Sequence, residues 1–258
     1  MKLAYHELLM PEPIKLKNIG GLRAPSVREV VKSYSKYQVY LSLLMMTPDK
    51  YFEAQGQSEQ YESLPLEEKQ QIQIFDLLVN DSNMLPVLKD LLTFFFDDLV
   101  QYDFDHKAFL LFDGTKGEDG NFILTGVIKS EIWLDLCDLI LQMNYVSHKT
   151  EDFSKAKNKK GLKLLERMMA LRKKNKPQKV EHDPNMELGN IISSVAAKSP
   201  NLNILNIWDI TIYQLWDLFT RLQINTFYDI QSTSVSVWGD KEKKFDSNGW
   251  YKNISIQK

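Results

Sequence analysis

The chain has 258 residues, of which 43% are hydrophobic, 26% charged and 11% aromatic. These fractions are typical of a globular protein of one or two domains, and they exclude disorder, a collagen-like repeat and a disulfide scaffold as the dominant state. A net charge of −2 gives the whole molecule little attraction for nucleic acid or acidic membranes. One cysteine and the lack of an apolar run of about 20 residues predict a soluble protein of a reducing compartment.

The charge is unevenly distributed along the chain. Residues 149–181 contain twelve basic and four acidic residues, a net charge of +8 that leaves −10 on the rest. Apolar residues recur at helical spacing over residues 162–171, and Pro177 and Pro184 end helical continuity. We therefore predict an α+β domain over residues 1–150, a basic helical linker over 151–187 and a small, mainly α module with an aromatic tail over 188–258.

The predicted N-terminal domain is mainly helical and contains a small β-hairpin component. Residues 14–19 alternate between apolar and polar, and the glycine pair at 20–21 is typical of a hairpin turn. Ser26 and Glu29 have the spacing of a capping box, in which each side chain bonds a backbone N–H at the other position. From there, helical periodicity predicts one helix that runs until Pro48.

The rest of this domain is predicted to alternate between helices and short strands. The predicted elements are helices over 65–79 and 84–99, strands over 108–112 and 121–125, and a helix that begins near Thr125 or Ser130. The loop at 113–120 lacks the acidic residues that a calcium loop needs at its third, fifth and twelfth positions. We therefore interpret it as a hairpin turn.

The C-terminal module contains the strongest local helix signal of the chain. Thr211 and Gln214 form a second predicted capping box, and Ile210 and Leu215 are placed to pack together as a hydrophobic staple. A shorter helix is predicted over residues 185–197. After the capped helix begins, residues 227–238 are compatible with either a helix or an extended chain, and the sequence leaves this choice open.

No residue pattern assembles a catalytic or metal site. The four histidines lie far apart, and nucleophile-elbow, Walker and dinucleotide motifs are missing from the sequence. Cys137 lies in an apolar helical stripe and is interpreted as a buried structural thiol. The acidic group Asp97, Asp98, Asp103 and Asp105 is interpreted as solvent-exposed carboxylates at a helix end. We therefore predict a protein that is not an enzyme and that needs no cofactor or metal.

Two sets of residues are candidates for binding other molecules. The basic segment favours a solvent-exposed linker over nucleic-acid binding, because no aromatic residues alternate with its lysines. The aromatic residues of the C-terminal module fit two alternatives equally, a small core or a partner-binding surface. The basic residues are Lys155, Lys157, Lys159, Lys160, Arg172, Lys173 and Lys174. The candidate partner-binding residues are Trp208, Tyr213, Trp216, Phe219, Trp238, Trp250 and Tyr251.

Several stretches of the sequence resemble proteins encoded in the tail-gene cluster of phages and prophages of Gram-positive bacteria. They are Tyr5–Leu9 with Pro11–Ile14, Tyr51–Phe52 with Gln60–Glu62, Ile74–Leu78, Asn206–Phe219 and Phe245–Ile254. Such proteins look like tail assembly chaperones, which hold the tape-measure protein soluble while tail tube subunits polymerise around it.

This resemblance implies a non-enzymatic protein of the bacterial host cytoplasm. Its implied partners are the tape-measure protein and tail tube subunits. The residue composition itself predicts no membrane partner and disfavours nucleic acid. Two alternatives remain, a structural tail or baseplate component of the virion and a nucleic-acid-binding factor that uses the basic linker. The sequence leaves the oligomeric state open.

Overall fold

The structure is a computed structural model that describes residues 2–117, 120–146, 183–240 and 243–255. It is α+β and mainly helical, with two small antiparallel sheets, as predicted. Most of the predicted basic linker, including its seven named lysine and arginine residues, lies outside the described residues. The predicted division of the chain at this linker therefore stays a prediction.

Eleven helices and five strands make up the described part of the chain, together with short 3₁₀ turns. The helices are α1 (Tyr5–Leu9), α2 (Val27–Lys32), α3 (Tyr34–Leu44), α4 (Pro48–Ala54), α5 (Ser58–Ser63), α6 (Leu66–Gln71), α7 (Ile74–Asn80), α8 (Met84–Phe95), α9 (Ser130–Met143), α10 (Leu188–Lys198) and α11 (Ile212–Trp238). The strands are β1 (Ile14–Leu16), β2 (Gly20–Leu22), β3 (Leu99–Asp103), β4 (Ala108–Lys116) and β5 (Phe122–Ile128).

The buried apolar side chains form a core to which both ends of the chain contribute. Phe75, Phe95 and Trp133 are among its largest fully buried members. Val195 in α10 and Leu215 in α11 belong to the same cluster and are equally buried. Burial of this apolar surface is the main favourable contribution to folding, so the C-terminal helices share it with the N-terminal elements. Within the described ranges, no helix is both long and apolar enough to cross a membrane.

The first hairpin forms where it was predicted, but its turn lies elsewhere. The turn occupies residues 17–19, where Asn18 adopts a positive φ of 63°. The glycine pair at 20–21 lies in β2 instead, directly against Asp98. Gly20 has φ of 107° and leaves no room for a Cβ beside the Asp98 carboxylate, so glycine is needed here for close approach.

Two predicted helices are each broken into two. The helix expected to run until Pro48 breaks at Ser33, because α2 contacts the C-terminal part of the chain whereas α3 packs on α8 and α9. The helix expected over 65–79 breaks at residues 72–73, which are extended. Only the second half, α7, buries an apolar face. Pro48 does end the regular spacing, but it also begins α4 at the first helical position.

The helix predicted over 84–99 ends early, at Phe95, because the chain then pairs with the first hairpin. The Asp97 N–H donates to the Gly21 carbonyl (3.0 Å), and Arg23 N–H donates to the Phe95 carbonyl (2.9 Å). Leu99 then begins β3, a strand that the sequence analysis did not predict.

The second sheet has the antiparallel order β3-β4-β5. Its two later strands confirm the predicted pair and extend it, and register shifts interrupt their pairing around Phe112. The helix that follows begins at Ser130, which settles the choice that the sequence left open.

Both predicted capping boxes are confirmed. The Ser26 hydroxyl accepts from the Glu29 N–H (3.2 Å), and the Glu29 carboxylate accepts from the Ser26 N–H (2.8 Å). The Thr211 hydroxyl accepts from the Gln214 N–H (3.1 Å), and the Gln214 side-chain oxygen accepts from the Thr211 N–H (2.9 Å). Each box satisfies two backbone groups that a helix start would leave unpaired.

The two capped helix starts also bond to each other. Ser26 and Thr211 form an antiparallel bridge. The Val27 N–H donates to the carbonyl of residue 210 (2.8 Å), and the Ile212 N–H donates to the carbonyl of residue 25 (2.9 Å). The first N–H of each helix therefore finds its acceptor in the segment before the other helix. This bridge holds the start of α11 on the N-terminal elements.

Candidate protein-binding surface

Helix α11 leaves the core partway along its length, and its distal part carries exposed apolar side chains. Residues 227–238 are helical, so the open choice between helix and extended chain is settled. Phe227, Ile230, Val237 and Trp238 are between 63% and 77% exposed. The first three lie at the 3- and 4-residue multiples that place side chains on one face of a helix.

The distal part of α11 also carries almost no charge. Between residues 222 and 238 the only charged side chain is Asp229. Exposed helix faces usually carry charged and polar residues opposite an apolar stripe that faces the core. An exposed apolar stripe on a nearly uncharged helix is typical of a surface that binds another protein.

A groove between α10 and α11 continues this stripe towards the core. Its volume is about 460 Å³. Its lining residues are Ser194, Lys198, Phe219, Leu222, Gln223, Thr226, Phe227 and Ile230. Lys198 donates a hydrogen bond to the Thr226 hydroxyl, which ties the end of α10 to α11 on one side of the groove. We call this groove, together with Val237 and Trp238, the distal surface.

The C-terminal tail folds back on a different side of α11. The Tyr228 and Phe245 rings lie 5.5 Å apart between centroids, and the Arg221 guanidinium donates to the Lys252 carbonyl (2.8 Å). Ile254 is buried. The tail therefore shields one side of the helix and leaves the distal surface open.

The predicted partner-binding residues fall into three groups by exposure. Trp238, Trp250 and Tyr251 are exposed, and the last two rings contact each other. Trp208, Trp216 and Phe219 are half-buried, whereas Tyr213 is buried. Their role in binding stays a prediction.

Contacts with neighbouring groups hold the buried and half-buried members of this set in place. The Tyr145 ring lies between Tyr213 and Trp216, with centroid distances of 5.3 Å and 6.3 Å. The Trp208 indole N–H donates to the Ile204 carbonyl (2.6 Å). These contacts stabilise the base of α11.

Sequence reasoning missed two residues that the structure places on the distal surface, Phe227 and Ile230. Part of their signal was present in the sequence, because Phe227, Ile230 and Val237 are separated by 3 and 7 residues, although the intervening helical position is Ser234. The alternation of serine and valine after residue 232 obscured it, since the same residues also fit a strand.

A polar cluster joins the N-terminus to the base of α11. The Tyr5 hydroxyl donates to the Asp217 carboxylate (2.7 Å), which is buried, and the Gln214 amide donates to the Leu9 carbonyl (2.8 Å). Burial and the neighbouring Asp217 carboxylate raise the pKa of Tyr5 above its usual value. Burial also raises the pKa of Tyr213. The groups of this cluster bond one another, so the arrangement ties two segments together.

The interpretation of the acidic group as solvent-exposed carboxylates at a helix end is wrong for Asp98. This side chain is buried between the two sheets, where it accepts from the Gly21 N–H (2.5 Å) and the Thr125 hydroxyl (2.6 Å). Asp103 lies at the end of β3 and pairs with the His106 ring (2.7 Å). The four carboxylates therefore do not share one helix end, because the unpredicted β3 separates them.

The remaining candidates for chemistry have structural surroundings. Cys137 is buried as predicted, and burial raises the pKa of its thiol. Asp113 accepts from the backbone N–H and the hydroxyl of Thr115 (2.8 Å each) within β4, so the turn predicted over 113–120 begins later, at Gly117, whose N–H donates to the Asn121 carbonyl (2.8 Å). Among the described residues, no group of three or more His, Cys, Asp or Glu is placed to hold a metal ion.

The comparison with protein families concerns the part of the chain that contains this surface. Residues 173–255 match the family described as the YomV second domain, a domain of the phage type. The match covers α10, α11 and the tail, and it supports a phage origin for the chain. No curated protein and no solved structure was found to match.

Proposed function

We propose that this chain is a phage protein that works by reversible binding to other proteins rather than by catalysis. The observation that carries this proposal is the distal surface, an apolar groove and stripe on the phage-type part of the chain that no described segment covers. Phe227, Ile230 and Trp238 supply the aromatic and aliphatic anchors that dominate protein interfaces.

More specifically, we propose a tail assembly chaperone that binds the tape-measure protein in the bacterial cytoplasm. An extended client that exposes apolar segments can bury them in the groove beside Phe219 and Leu222 while it waits for tube subunits. The basic segment at residues 149–181, with its charge of +8, adds attraction for acidic parts of the client. Two linked weak contacts bind more tightly than either alone, and each still releases readily.

Co-expression with the tape-measure protein of the same phage tests this proposal. The full chain is expected to raise the soluble yield of that client. Phe227→Ser combined with Ile230→Ser should abolish the gain while the chaperone itself stays folded, since both side chains are largely exposed. A matched control replaces two other apolar residues of about half exposure, Val39→Ser with Leu134→Ser, and should leave the gain intact.

Three outcomes would contradict the proposal or its parts. An equal gain from the distal-surface variant and the wild type would remove the distal surface from client binding. Stoichiometric copies in purified virions, detected by mass spectrometry, would make the chain a structural tail or baseplate component instead. Retardation of DNA or RNA with an affinity that falls steeply with salt would favour the nucleic-acid-binding alternative, since released counterions dominate such binding.

A further inference from the structure

A second exposed apolar surface lies far from α11 in the sequence, at the free end of β5. Phe122, Ile123 and Leu124 are three consecutive apolar residues between 46% and 51% exposed. Strand β5 is an outer strand of its sheet and pairs with β4 on one side only. An edge strand offers unpaired backbone groups to any further strand.

Only one half of the β5 edge is covered within the described chain. The turn of the first hairpin seals it at Gly126, which bridges Asn18 and Ile19, and the Val127 N–H donates to the Asn18 carbonyl (3.1 Å). A Cβ at Gly126 would collide with the Ile19 backbone, so this closure needs glycine. The open stretch therefore ends before Gly126, and residue 123 is its centre.

The open stretch lacks two of the devices that usually protect an edge, although register shifts interrupt its pairing with β4. Edge strands are commonly blunted by charged side chains or proline. Residues 121–128 contain neither. The adjoining sheet face carries an apolar row, because Leu99, Phe112 and Leu124 are aligned across the three strands, and the Lys116 ammonium lies over the Phe122 ring (5.9 Å). An antiparallel sheet with one face on the core normally carries polar residues on its outer face. The apolar row on this outer face therefore favours contact with another protein surface.

We propose that β5 pairs antiparallel with β5 of a second copy of this chain, so that two three-stranded sheets form one continuous sheet. In an antiparallel two-fold contact the residue on the axis faces its own counterpart and its neighbours lie close by, so a charge at the centre of the strand would meet a like charge. The absence of charge from residues 121–128 therefore suits a second copy of the chain.

The order of residue types also fits a partner of identical sequence. Around Ile123 the strand is symmetric in character, with Phe122 and Leu124 on either side and Asn121 and Thr125 beyond them. An antiparallel second copy then places Ile123 opposite Ile123 and Phe122 opposite Leu124, with polar residues opposite polar ones. This dimer uses a different surface from the distal surface, so neither proposal depends on the other.

Sedimentation of the full chain across a wide range of concentration tests the dimer. The wild type is expected to shift from the 30.1 kDa monomer towards twice that mass as concentration rises. Ile123→Lys should weaken the dimer by about tenfold or more, because two like charges then face each other across the two-fold axis. The control Leu134→Lys changes a side chain of similar exposure on α9 and should dimerise like the wild type.

A charge swap keeps the test independent of folding failure. Ile123→Lys and Ile123→Glu should each be largely monomeric alone, and an equal mixture should recover the dimer as a mixed pair. A wild type that stays monomeric at every concentration would overturn the proposal. So would a dimer that Ile123→Lys leaves unchanged, or two monomeric variants whose mixture does not dimerise.

Discussion

The two halves of α11 contain similar apolar residue types but have opposite surroundings. In the proximal half, Ile212 and Leu215 are fully buried in the shared core. In the distal half, Ile230 and Val237 are about two-thirds exposed. The proximal half bonds to α1 and to the start of α2 through Asp217 and Thr211, whereas the distal half borders the groove beside α10. Apolar residues of one helix can therefore serve stability at one end and remain available for binding at the other.

The distal half is also the weaker helix by intrinsic preference. Residues 226–237 contain three serines and several β-branched residues. Serine hydroxyls compete for backbone hydrogen bonds, and β-branched side chains lose rotamer freedom in a helix. Helix extension from an existing turn is favourable even where nucleation is costly. The capped and buried start at Thr211 therefore supports a distal segment whose own residues also fit a strand.

A cavity at the proximal end of α11 should have the largest effect on stability. Leu215→Ala is expected to lower the free energy of unfolding by about 2–5 kcal/mol, since a fully buried leucine leaves a cavity in the core. Urea denaturation followed by circular dichroism measures the change. A loss smaller than that of an exposed-site variant would contradict the view that the proximal half is held by the core.

Removing the helix cap should have the next largest effect. Thr211→Ala is expected to lower the free energy of unfolding by about 1 kcal/mol, because the Gln214 N–H loses its acceptor. The same change at Ser26 should cost a similar amount, and the double variant reports whether the bridge couples the two caps. Strict additivity would mean that the two helix starts stabilise the protein independently.

Alkaline pH should loosen the attachment of the proximal half through Tyr5. Burial and Asp217 raise its pKa, so the folded protein keeps the phenol proton to a higher pH than the unfolded chain does. The resulting stability is complete below the ordinary tyrosine pKa of about 10 and is lost as pH rises through the folded value.

The free energy of unfolding of the wild type should therefore fall more steeply above that pH than the free energy of Tyr5→Phe. Denaturant titrations at several alkaline pH values measure both slopes. Equal slopes would show that Tyr5 ionisation does not contribute. The comparison concerns slopes only, because Tyr5→Phe also removes a hydrogen bond to Asp217 at neutral pH.

The smallest effect is expected at the distal end. Ile230→Ser should change the free energy of unfolding by less than about 0.5 kcal/mol, since its side chain is largely exposed. Urea denaturation beside Leu215→Ala gives the contrast directly. A loss above 1 kcal/mol would mean that Ile230 is packed in solution, and the distal surface would then need a covering segment.

Local signals in the sequence were sufficient for several elements. Both capping boxes, the pairing of β4 with β5 and the buried Cys137 follow from spacing and residue type alone. The errors concern features that depend on distant contacts. Strand β3 was missed because it is short and directly follows a helix, and its pairing with β4 outweighs the local preference.

The residues of the candidate binding surface were likewise predicted only in part. The sequence pointed to an aromatic C-terminal module and named Trp238, Trp250 and Tyr251, which the structure exposes. It also named Tyr213, which the structure buries beside Tyr145. Periodicity identifies the apolar face of a helix, but it does not reveal which part of that face another element covers.

By itself, the sequence determined where α2 and α11 begin, since a capping box depends on residues three positions apart. It also determined the α+β class and the unequal distribution of charge. Only the tertiary structure decided how far α11 stays covered, that Asp98 is buried between two sheets and that the outer end of β5 is open. These features depend on contacts between residues far apart in the chain, and local residue preferences do not encode such contacts.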